Sequence, residues 1–409
     1  MSAPASGRHY GWVIVATLCV TETITWGIIF YGFPVFLGAM EKDLGASRVV
    51  VTGAFSLGLG VAALAGIPVG RWLDRRGARL LMTVGSCLAT ALTFLWSRVE
   101  TPAALYAVWL CMGIAMATTL YEPAFAAIVQ WFPSGRDRAL LTVTIAAGFA
   151  STIFMPIEAW LLVSVGWRQA LVILAALLAV TTIPLHAFLL RPPPHLAVSR
   201  GAAAAAPAAT PGLSLGAALR HPIFWILAGA FFMSNFAHTS GTVHLIPYLM
   251  QYGYSAALAA ATVGWIGAMQ VGGRIFFVPV AAWVGPRWVV PGLFLAQTAG
   301  MGLLPVIGWL PSAIPIVVLL GAANGMSTLA RASIVSDIFG RRHYGSISGA
   351  IALGANGARA LAPIGSSVLL LGLESYERLF GILAVALLLV SVMVLLTDTG
   401  VRLSEREPR

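Results

Sequence analysis

Long apolar runs, separated by short polar segments, fill the sequence from Trp12 to Leu396. Most of them approach the roughly 20 residues that carry an α-helix across the hydrocarbon core of a bilayer. The pattern predicts an all-α integral membrane protein with twelve transmembrane helices. The predicted spans are residues 12–38, 48–70, 78–97, 102–130, 137–164, 167–190, 220–250, 256–280, 288–307, 312–338, 344–371 and 377–397, with edges defined to within several residues.

A proline- and alanine-rich segment with scattered arginine divides the spans six and six. Such a composition is typical of a linker. We therefore expect an N-terminal six-helix bundle over residues 1–190, a cytoplasmic linker over 191–219, and a C-terminal six-helix bundle with a short cytoplasmic tail over 220–409.

The two halves resemble each other in the segments that follow corresponding spans. "IPVGRWLDRRGAR" at 67–79 follows the second span and "VPVAAWVGPR" at 278–287 the eighth; "QWFPSGRDRALL" at 130–141 and "DIFGRRHYGSIS" at 337–348 follow the fourth and tenth. Repeats in one orientation are the plan of many transporters, in which a substrate path runs between two similar halves.

Composition and charge agree with this architecture. Only 9% of the 409 residues are charged, which is too little to cover the surface of a soluble protein. The net charge of +10 would suggest nucleic acid in a soluble chain. Here most of the Lys and Arg residues lie in polar segments on the side that carries both termini. The positive-inside rule predicts cytoplasmic termini in a multi-pass protein of the plasma (inner) membrane, with no nucleic-acid partner.

The three cysteines, Cys19, Cys87 and Cys111, each lie inside an apolar run. An odd number without paired spacing predicts core residues, not a disulfide framework or a metal site. His238 and His244 are six residues apart and do not share a helical face, so they do not predict a metal pair. We expect no cofactor.

"GRWLDRRGAR" at 70–79 resembles the loop signature of the major facilitator superfamily, and the matching positions are Gly70, Asp74, Arg75, Gly77 and Arg79. With the six-plus-six repeat, the resemblance covers essentially the whole chain. It implies two six-helix bundles around a central cavity with alternating access. The loop would then be a gating element, in which Gly70 permits close helix approach and Asp74 pairs with a cation or a helix N-terminus.

Two further residues belong to the expected gate region. Arg331 lies near the cytoplasmic end of the tenth span. We expect it to pair with Asp337 or to join the gate.

Other segments are similar to the branch that contains monocarboxylate transporters and oxalate–formate exchangers. They are "HYGW" at 9–12, "WFPSGRDRA" at 131–139 and "DIFGRRHYGSISG" at 337–349, together with Arg274 in the eighth span. In that branch an arginine of the eighth helix binds the substrate carboxylate, and the resemblance gives this role to Arg274. Two positions differ: Gln270 stands where animal monocarboxylate transporters have a coupling aspartate, and "GANGAR", with Asn356 and Arg359, replaces a lysine of the oxalate exchanger.

Arg274 is the main candidate for substrate binding. A charge at the centre of a span costs about 2.5–3.5 kcal/mol on insertion scales. A guanidinium facing a polar cavity could bind a carboxylate through two hydrogen bonds. The alternative is a structural pair with an acid from another helix, because Gln270 and Val278, one turn away, cannot pair with it.

Four other residues are expected near the substrate. Arg359 is a second cation in mid-span, with Asn356 one turn away, and a structural contact is an equally open interpretation. Asn235 lies in the seventh span. Tyr121 is a candidate because the branch often places a substrate-facing tyrosine in this part of the fourth helix.

Glu22, Glu122 and His238 are the candidates for proton coupling. Glu22 lies deep in the first span in "TETITWG", where it could carry a proton, pair with an arginine or be a hydrogen-bonded core acid. Glu158, nearer the outer end of the fifth span, is expected to be structural.

The sequence thus predicts a secondary active transporter of small organic monocarboxylates, coupled to protons or by anion exchange, functional as a monomer in membrane lipid. One alternative is a proton-driven exporter of amphipathic or cationic compounds, although the arginine and GP-GG motif usual in its fourth and fifth helices are missing. Another is a membrane enzyme or sensor, but no HExxH, GxSxG, CxxC or GxxxxGK[ST] motif occurs, so we predict no enzymatic activity.

Overall fold

The computed structural model describes residues 5–132, 134–192, 212–306 and 313–397. Fifteen α-helices account for most of them. They are α1 Ala5–Thr25, α2 Gly32–Asp43, α3 Arg48–Arg76, α4 Ala78–Trp96, α5 Pro102–Thr119, α6 Tyr121–Trp131, α7 Arg136–Gly148, α8 Ala150–Pro184, α9 Leu215–Arg220, α10 Pro222–Gln251, α11 Ala256–Val284, α12 Pro286–Gly302, α13 Ala313–Phe339, α14 Tyr344–Leu373 and α15 Tyr376–Leu396. Two π-helical segments, Trp26–Tyr31 and Leu185–Leu189, continue α1 and α8.

The helices coincide with the predicted spans. Eight stretches of the described residues are long and apolar enough to cross a membrane. One of these, Arg136–Leu189, has 54 residues and contains Gly166, whose φ of 80° and ψ of 162° break the helix. It therefore supplies the predicted fifth and sixth spans. The remaining predicted spans, the seventh, ninth and eleventh, are the helices α10, α12 and α14.

Local sequence signals explain where helices begin and end. The Ser47 hydroxyl accepts a hydrogen bond from the amide of Val50 at the start of α3. Thr101 caps α5 in the same way, with Pro102 at the first helical position, where a missing amide hydrogen costs nothing. At the end of α3, Gly77 adopts a φ of 77°, which is unfavourable for any residue with a Cβ. This glycine allows the chain to turn directly into α4.

The first of two compact units comprises residues 1–212 together with Arg341–Ala350, which includes the first turns of α14. Its core is rich in aromatic rings: the Trp109 ring lies 4.8 Å from that of Phe33 and 5.1 Å from that of Trp96, measured between centroids. All three side chains are buried. Edge-to-face contacts of this kind fix the relative positions of α2, α4 and α5.

The second unit comprises Leu213–Gly340 and Ile351–Arg409. Its core groups Tyr248 of α10 with Phe380 and Leu383 of α15. The hydroxyl of Tyr248 donates a 2.7 Å hydrogen bond to the carbonyl of Leu304, so this buried polar group is satisfied.

The same pair of spans packs closely in each half. In the first unit, a Cβ added at Gly113 of α5 would overlap the backbone of Gly58 in α3. In the second, a Cβ added at Gly325 of α13 would overlap the backbone of Gln270 in α11. Glycine thus permits backbone contact between spans two and four and between spans eight and ten. Most of the expected linker, residues 193–211, lies outside the described residues.

Candidate functional site

The first span changes helical type four residues after Glu22. Residues Trp26–Tyr31 are π-helical, a form that is frequent at functional sites. Glu22 is completely buried, and the indole Nε1 of Trp26 donates a 3.1 Å hydrogen bond to its Oε2. The Trp26 ring lies 4.9 Å from the ring of Tyr121 between centroids. Trp26 therefore contacts both Glu22 and Tyr121, two residues singled out from the sequence.

The fourth span is interrupted at its centre. Helix α5 ends at Thr119, Leu120 is extended with a φ of −88° and a ψ of −162°, and α6 begins at Tyr121. Glu122 lies in the first turn of α6, where the positive end of the helix dipole favours a carboxylate. Discontinuous membrane helices often place such ends at substrate or ion sites.

The loop signature contacts the beginning of α14 within the first unit. Asp74 Oδ1 accepts a 2.8 Å hydrogen bond from the amide of Gly345. Asp74 Oδ2 accepts from the amide of Ser346 at 2.9 Å and from its hydroxyl at 2.5 Å. A Cβ added at Gly70 would overlap the backbone of Gly345. Asp74 thus caps α14, and Gly70 lets α3 approach it.

The other signature residues have different surroundings. Arg75 is exposed at the end of α3, and Gly77 forms the turn into α4. The guanidinium of Arg79 donates a 2.8 Å hydrogen bond from Nε to the carbonyl of Ala187 in the second π-helical segment. Among the five signature residues, Gly70 and Asp74 are therefore the ones that the described residues of α14 contact.

The segment 341–350 also contacts the broken fourth span. The Ser348 hydroxyl donates a 3.0 Å hydrogen bond to Glu122 Oε2. Arg341 donates from Nε to the carbonyl of Val129 and from Nη2 to that of Gln130, both at 2.8 Å, at the C-terminal end of α6. Burial first, and then the charge of Arg136, lower the pKa of Arg341.

Sequence reasoning did not single out Arg341, Ser346 or Ser348. The available signal was the polar "YGSISG" at the start of a span, residues 344–349, since serine near a helix N-terminus commonly takes part in capping. The sequence alone does not show which helices these three residues contact.

In the second unit, three predicted residues form one group. Arg359 Nε donates a 2.7 Å hydrogen bond to Asn235 Oδ1, and Asn235 Nδ2 donates to the carbonyl of Phe231 at the same distance. His238, one turn beyond Asn235, is close enough to experience the charge of Arg359. Arg359 lies near the middle of α14, yet its side chain is exposed, whereas Asn235 is only 7% exposed. The arrangement is an accessible guanidinium oriented by a buried amide.

The remaining predicted residues of the second unit lie on α11, α13 and α14. Arg274 is half-buried on α11, next to Gly273, whose added Cβ would overlap the backbone of Ala322 in α13. Asn356 is half-buried one turn before Arg359, and Asp337 is half-buried near the end of α13. Among the described side chains, no cluster of three or more His, Cys, Asp or Glu could hold a metal ion.

Comparison with known proteins identifies relatives that match most of the chain. The oxalate:formate antiporter of Oxalobacter formigenes is 26% identical over 348 residues, which is 83% of this chain and 80% of the relative. Monocarboxylate transporter 13 of Rattus norvegicus is 26% identical, with 81% and 76% coverage. Human monocarboxylate transporter 11 is 29% identical, with 73% and 63% coverage.

Solved structures share the fold. The E. coli fucose:proton symporter superimposes with a TM-score of 0.70 at 14% identity, covering 93% of this chain and 97% of that one. The human organic anion transporter MFSD10 gives a TM-score of 0.71 at 15% identity, with 96% and 100% coverage. These relatives are transporters, and this multi-pass membrane protein is likewise a transporter rather than an enzyme. The family profile of the Major Facilitator Superfamily matches residues 18–363. The chain therefore belongs to that superfamily and has its fold of twelve helices in two six-helix bundles.

Proposed function

We propose that this protein is a secondary active transporter of small organic monocarboxylates, coupled to protons or working by anion exchange. The observation that carries the proposal is the Arg359–Asn235 contact at 2.7 Å. The amide engages Nε and so fixes the plane of the guanidinium, whose fork matches the geometry of a carboxylate. A binding group held in place beforehand loses less entropy when the ligand arrives.

The membrane setting supports a polar role for Arg359. Its side chain is accessible at mid-helix, and a charge facing lipid there would be costly. We therefore expect the accessible side of the Arg359 guanidinium to face water or an anionic ligand. One guanidinium suits a substrate with one carboxylate on a small organic body, because the helices around it supply mainly apolar surface.

Arg274 is proposed as a second binding arginine, with Tyr121 and Asn356 as further contacts to the substrate. Arg274 lies on α11, and α13 packs closely against this helix at the neighbouring Gly273. The role rests on its mid-span position and on the resemblance in sequence. The relatives support the same ligand chemistry, because their names refer to oxalate, formate and monocarboxylates.

Proton coupling is proposed because it removes an electrical cost. Moving an anion into a negative interior is opposed by about 2.3 kcal/mol per charge for each 100 mV, and one co-transported proton cancels this term. Glu22, buried and hydrogen-bonded to Trp26, is the proposed carrier, with Glu122 and His238 as alternatives. We place the protein in the plasma (inner) membrane with cytoplasmic termini, acting as a monomer among lipids.

The test is uptake by purified protein in proteoliposomes. Radiolabelled lactate, pyruvate, acetate, oxalate and benzoate are offered with and without an inward proton gradient. We expect uptake of at least one monocarboxylate by wild type, loss in Arg359→Ala, and wild-type uptake in Arg98→Ala, which removes an exposed arginine after α4.

Two results would contradict the proposal. The first is the absence of both uptake and counterflow for every carboxylate by protein that is folded. The second is transport of cationic amphipathic compounds instead, which would favour an exporter. The ring cluster of Trp26, Phe30, Tyr31 and Tyr121 is the feature that would suit such compounds.

A further inference from the structure

Glu158, on α8, is a carboxyl group that the proposed function does not use. It is 0% exposed, and neither of its carboxyl oxygens has a hydrogen-bond partner among the residues that the structure describes. An ionised carboxylate in such surroundings would be very costly, because a buried charge needs hydrogen bonds or a counter-ion. These surroundings therefore favour the neutral form of the side chain, with a proton on one oxygen.

The position of Glu158 links it to the first π-helical segment. A Cβ added at Gly32, the first residue after that segment, would lie 2.8 Å from Glu158 Oε1. One turn earlier on α8, the Phe154 ring occupies the space beside Gly27, inside the segment. The π-helical segment thus lies against α8 at Phe154, and the first residue of α2 lies against it at Glu158. The segment begins four residues after Glu22, which is also 0% exposed.

No cation in the surroundings is hydrogen-bonded to this carboxyl group. On α8 itself, Arg168 is paired with Asp43, with Nη2 and Oδ2 2.9 Å apart. The other titratable or charged side chains described on the elements that pack against α8 are Tyr10, Cys19, Glu22, Tyr31, Glu41, Lys42, Asp43, Arg79, Cys87, Arg136, Asp137, Arg138 and His186. None of them forms a hydrogen bond to either oxygen of Glu158.

We propose that Glu158 is a proton-binding residue of the transport cycle, which holds its proton while α8 is packed on the π-helical segment and the start of α2, and releases it when this contact opens to water. The proposal rests on the proposed function, because the cycle is what would open the contact. Proton loss requires only solvation: the O–H bond breaks, the proton passes to water, and the carboxylate remains hydrated. Closing the contact again requires that the proton return.

The first experiment measures the proton directly and does not depend on transport. Infrared spectra of purified wild type are recorded at a pH at which exposed carboxyl groups, with pKa values of about 4, are ionised. We expect a C=O stretching band of a protonated carboxylic acid that is lost in Glu158→Gln and kept in Glu100→Gln, an exposed acid. An unchanged band in Glu158→Gln would overturn the proposal.

A second variant covers the case in which Glu158→Gln does not fold. Gly32→Ala places a methyl group against Glu158 Oε1, so it should shift the same band, whereas Gly38→Ala on the same helix meets nothing within 4 Å and should not. A band that does not respond to Gly32→Ala belongs to another group and counts against Glu158.

Release during the cycle is tested by accumulation of a carboxylate that wild type transports. One pH unit is worth about 1.36 kcal/mol per proton, which drives about tenfold accumulation. We expect Glu158→Gln to lose this proton-driven accumulation while it still exchanges labelled for unlabelled carboxylate. Wild-type accumulation in Glu158→Gln would mean a permanently protonated structural acid. If wild type transports no carboxylate at all, the proposed function fails, while the infrared result still decides whether Glu158 binds a proton.

Discussion

At the scale of single residues, the contact between Arg359 and Asn235 is the basis of the proposed binding site. Asn235 is buried, and both ends of its amide are used, one for Arg359 and one for the carbonyl of Phe231. Hydrogen bonds to charged groups contribute about 1.5–3 kcal/mol. A hydrogen bond of this strength is sufficient to hold the guanidinium of Arg359 in one orientation.

We predict that Asn235→Ala weakens carboxylate binding by roughly tenfold to a hundredfold, which is this energy expressed as a ratio of dissociation constants. Isothermal titration with the transported carboxylate measures it. Gln251→Ala, at the exposed end of α10, is the control and should bind like wild type. Equal affinities for Asn235→Ala and wild type would show that Asn235 does not orient the binding group.

Glu22 offers a second prediction for a single residue. Replacing its carboxyl group by an amide keeps the shape and removes the exchangeable proton, so Glu22→Gln should lower proton-driven accumulation more than exchange of labelled for unlabelled substrate. Both rates are measured on the same proteoliposomes. An unchanged ratio of the two would exclude Glu22 as the proton carrier and leave Glu122, His238 and Glu158 as candidates.

At the level of helices, α3 and the start of α14 form a contact that depends on two features. Gly70 allows the backbones to touch, and Asp74 accepts three hydrogen bonds from Gly345 and Ser346. The resulting cap satisfies amide groups that the first turn of a helix leaves without partners. Both features belong to one short loop signature, which connects the end of α3 to the start of α14.

We predict that Asp74→Asn slows turnover more than it weakens substrate binding. The amide keeps some hydrogen bonds but loses the negative charge at the N-terminus of α14, which is worth about 0.3–1 kcal/mol. Turnover is measured in proteoliposomes and affinity on the purified variant. A large loss of affinity with normal turnover would contradict the gating role.

Gly70→Ala tests the close approach itself. The added methyl group would overlap Gly345, and overpacking of this kind costs about 1–3 kcal/mol. We expect a lower melting temperature and slower transport. Gly60→Ala, on the same helix with nothing within 4 Å, is the matched control. Equal effects of the two substitutions would point to helix flexibility instead of the contact.

For the whole molecule, the spans could be predicted from the sequence and the site only in part. Apolar runs define the helices because a bilayer leaves few other ways to satisfy backbone groups. Pro123, three residues after Leu120, signals a disturbance of the helix there, whereas the π-helical segment that begins four residues after Glu22 has no clear signal, because it does not interrupt the apolar pattern. Asn235 and His238 share a helix face in the sequence, but their neighbour Arg359 is 124 residues beyond Asn235 and depends on tertiary packing.

Topology gives a prediction that involves the whole chain. On a background in which Cys19, Cys87 and Cys111 are replaced by serine, Glu100→Cys, between α4 and α5, should react with a membrane-impermeant maleimide only from outside the cell. Arg342→Cys, between α13 and α14, should react only from the cytoplasm. The opposite pattern would reverse the orientation derived from the positive charges.

The most direct test of carboxylate binding by the two arginines measures affinity and melting temperature on the same purified samples of wild type, Arg359→Ala and Arg274→Ala. We expect the carboxylate to raise the melting temperature of wild type and to leave both variants unaffected, while the ligand-free melting temperatures stay close to that of wild type. An arginine that serves only a buried ion pair would instead leave an acid unpaired, at a cost of about 3–5 kcal/mol. Intact carboxylate affinity with a collapsed melting temperature would contradict the account.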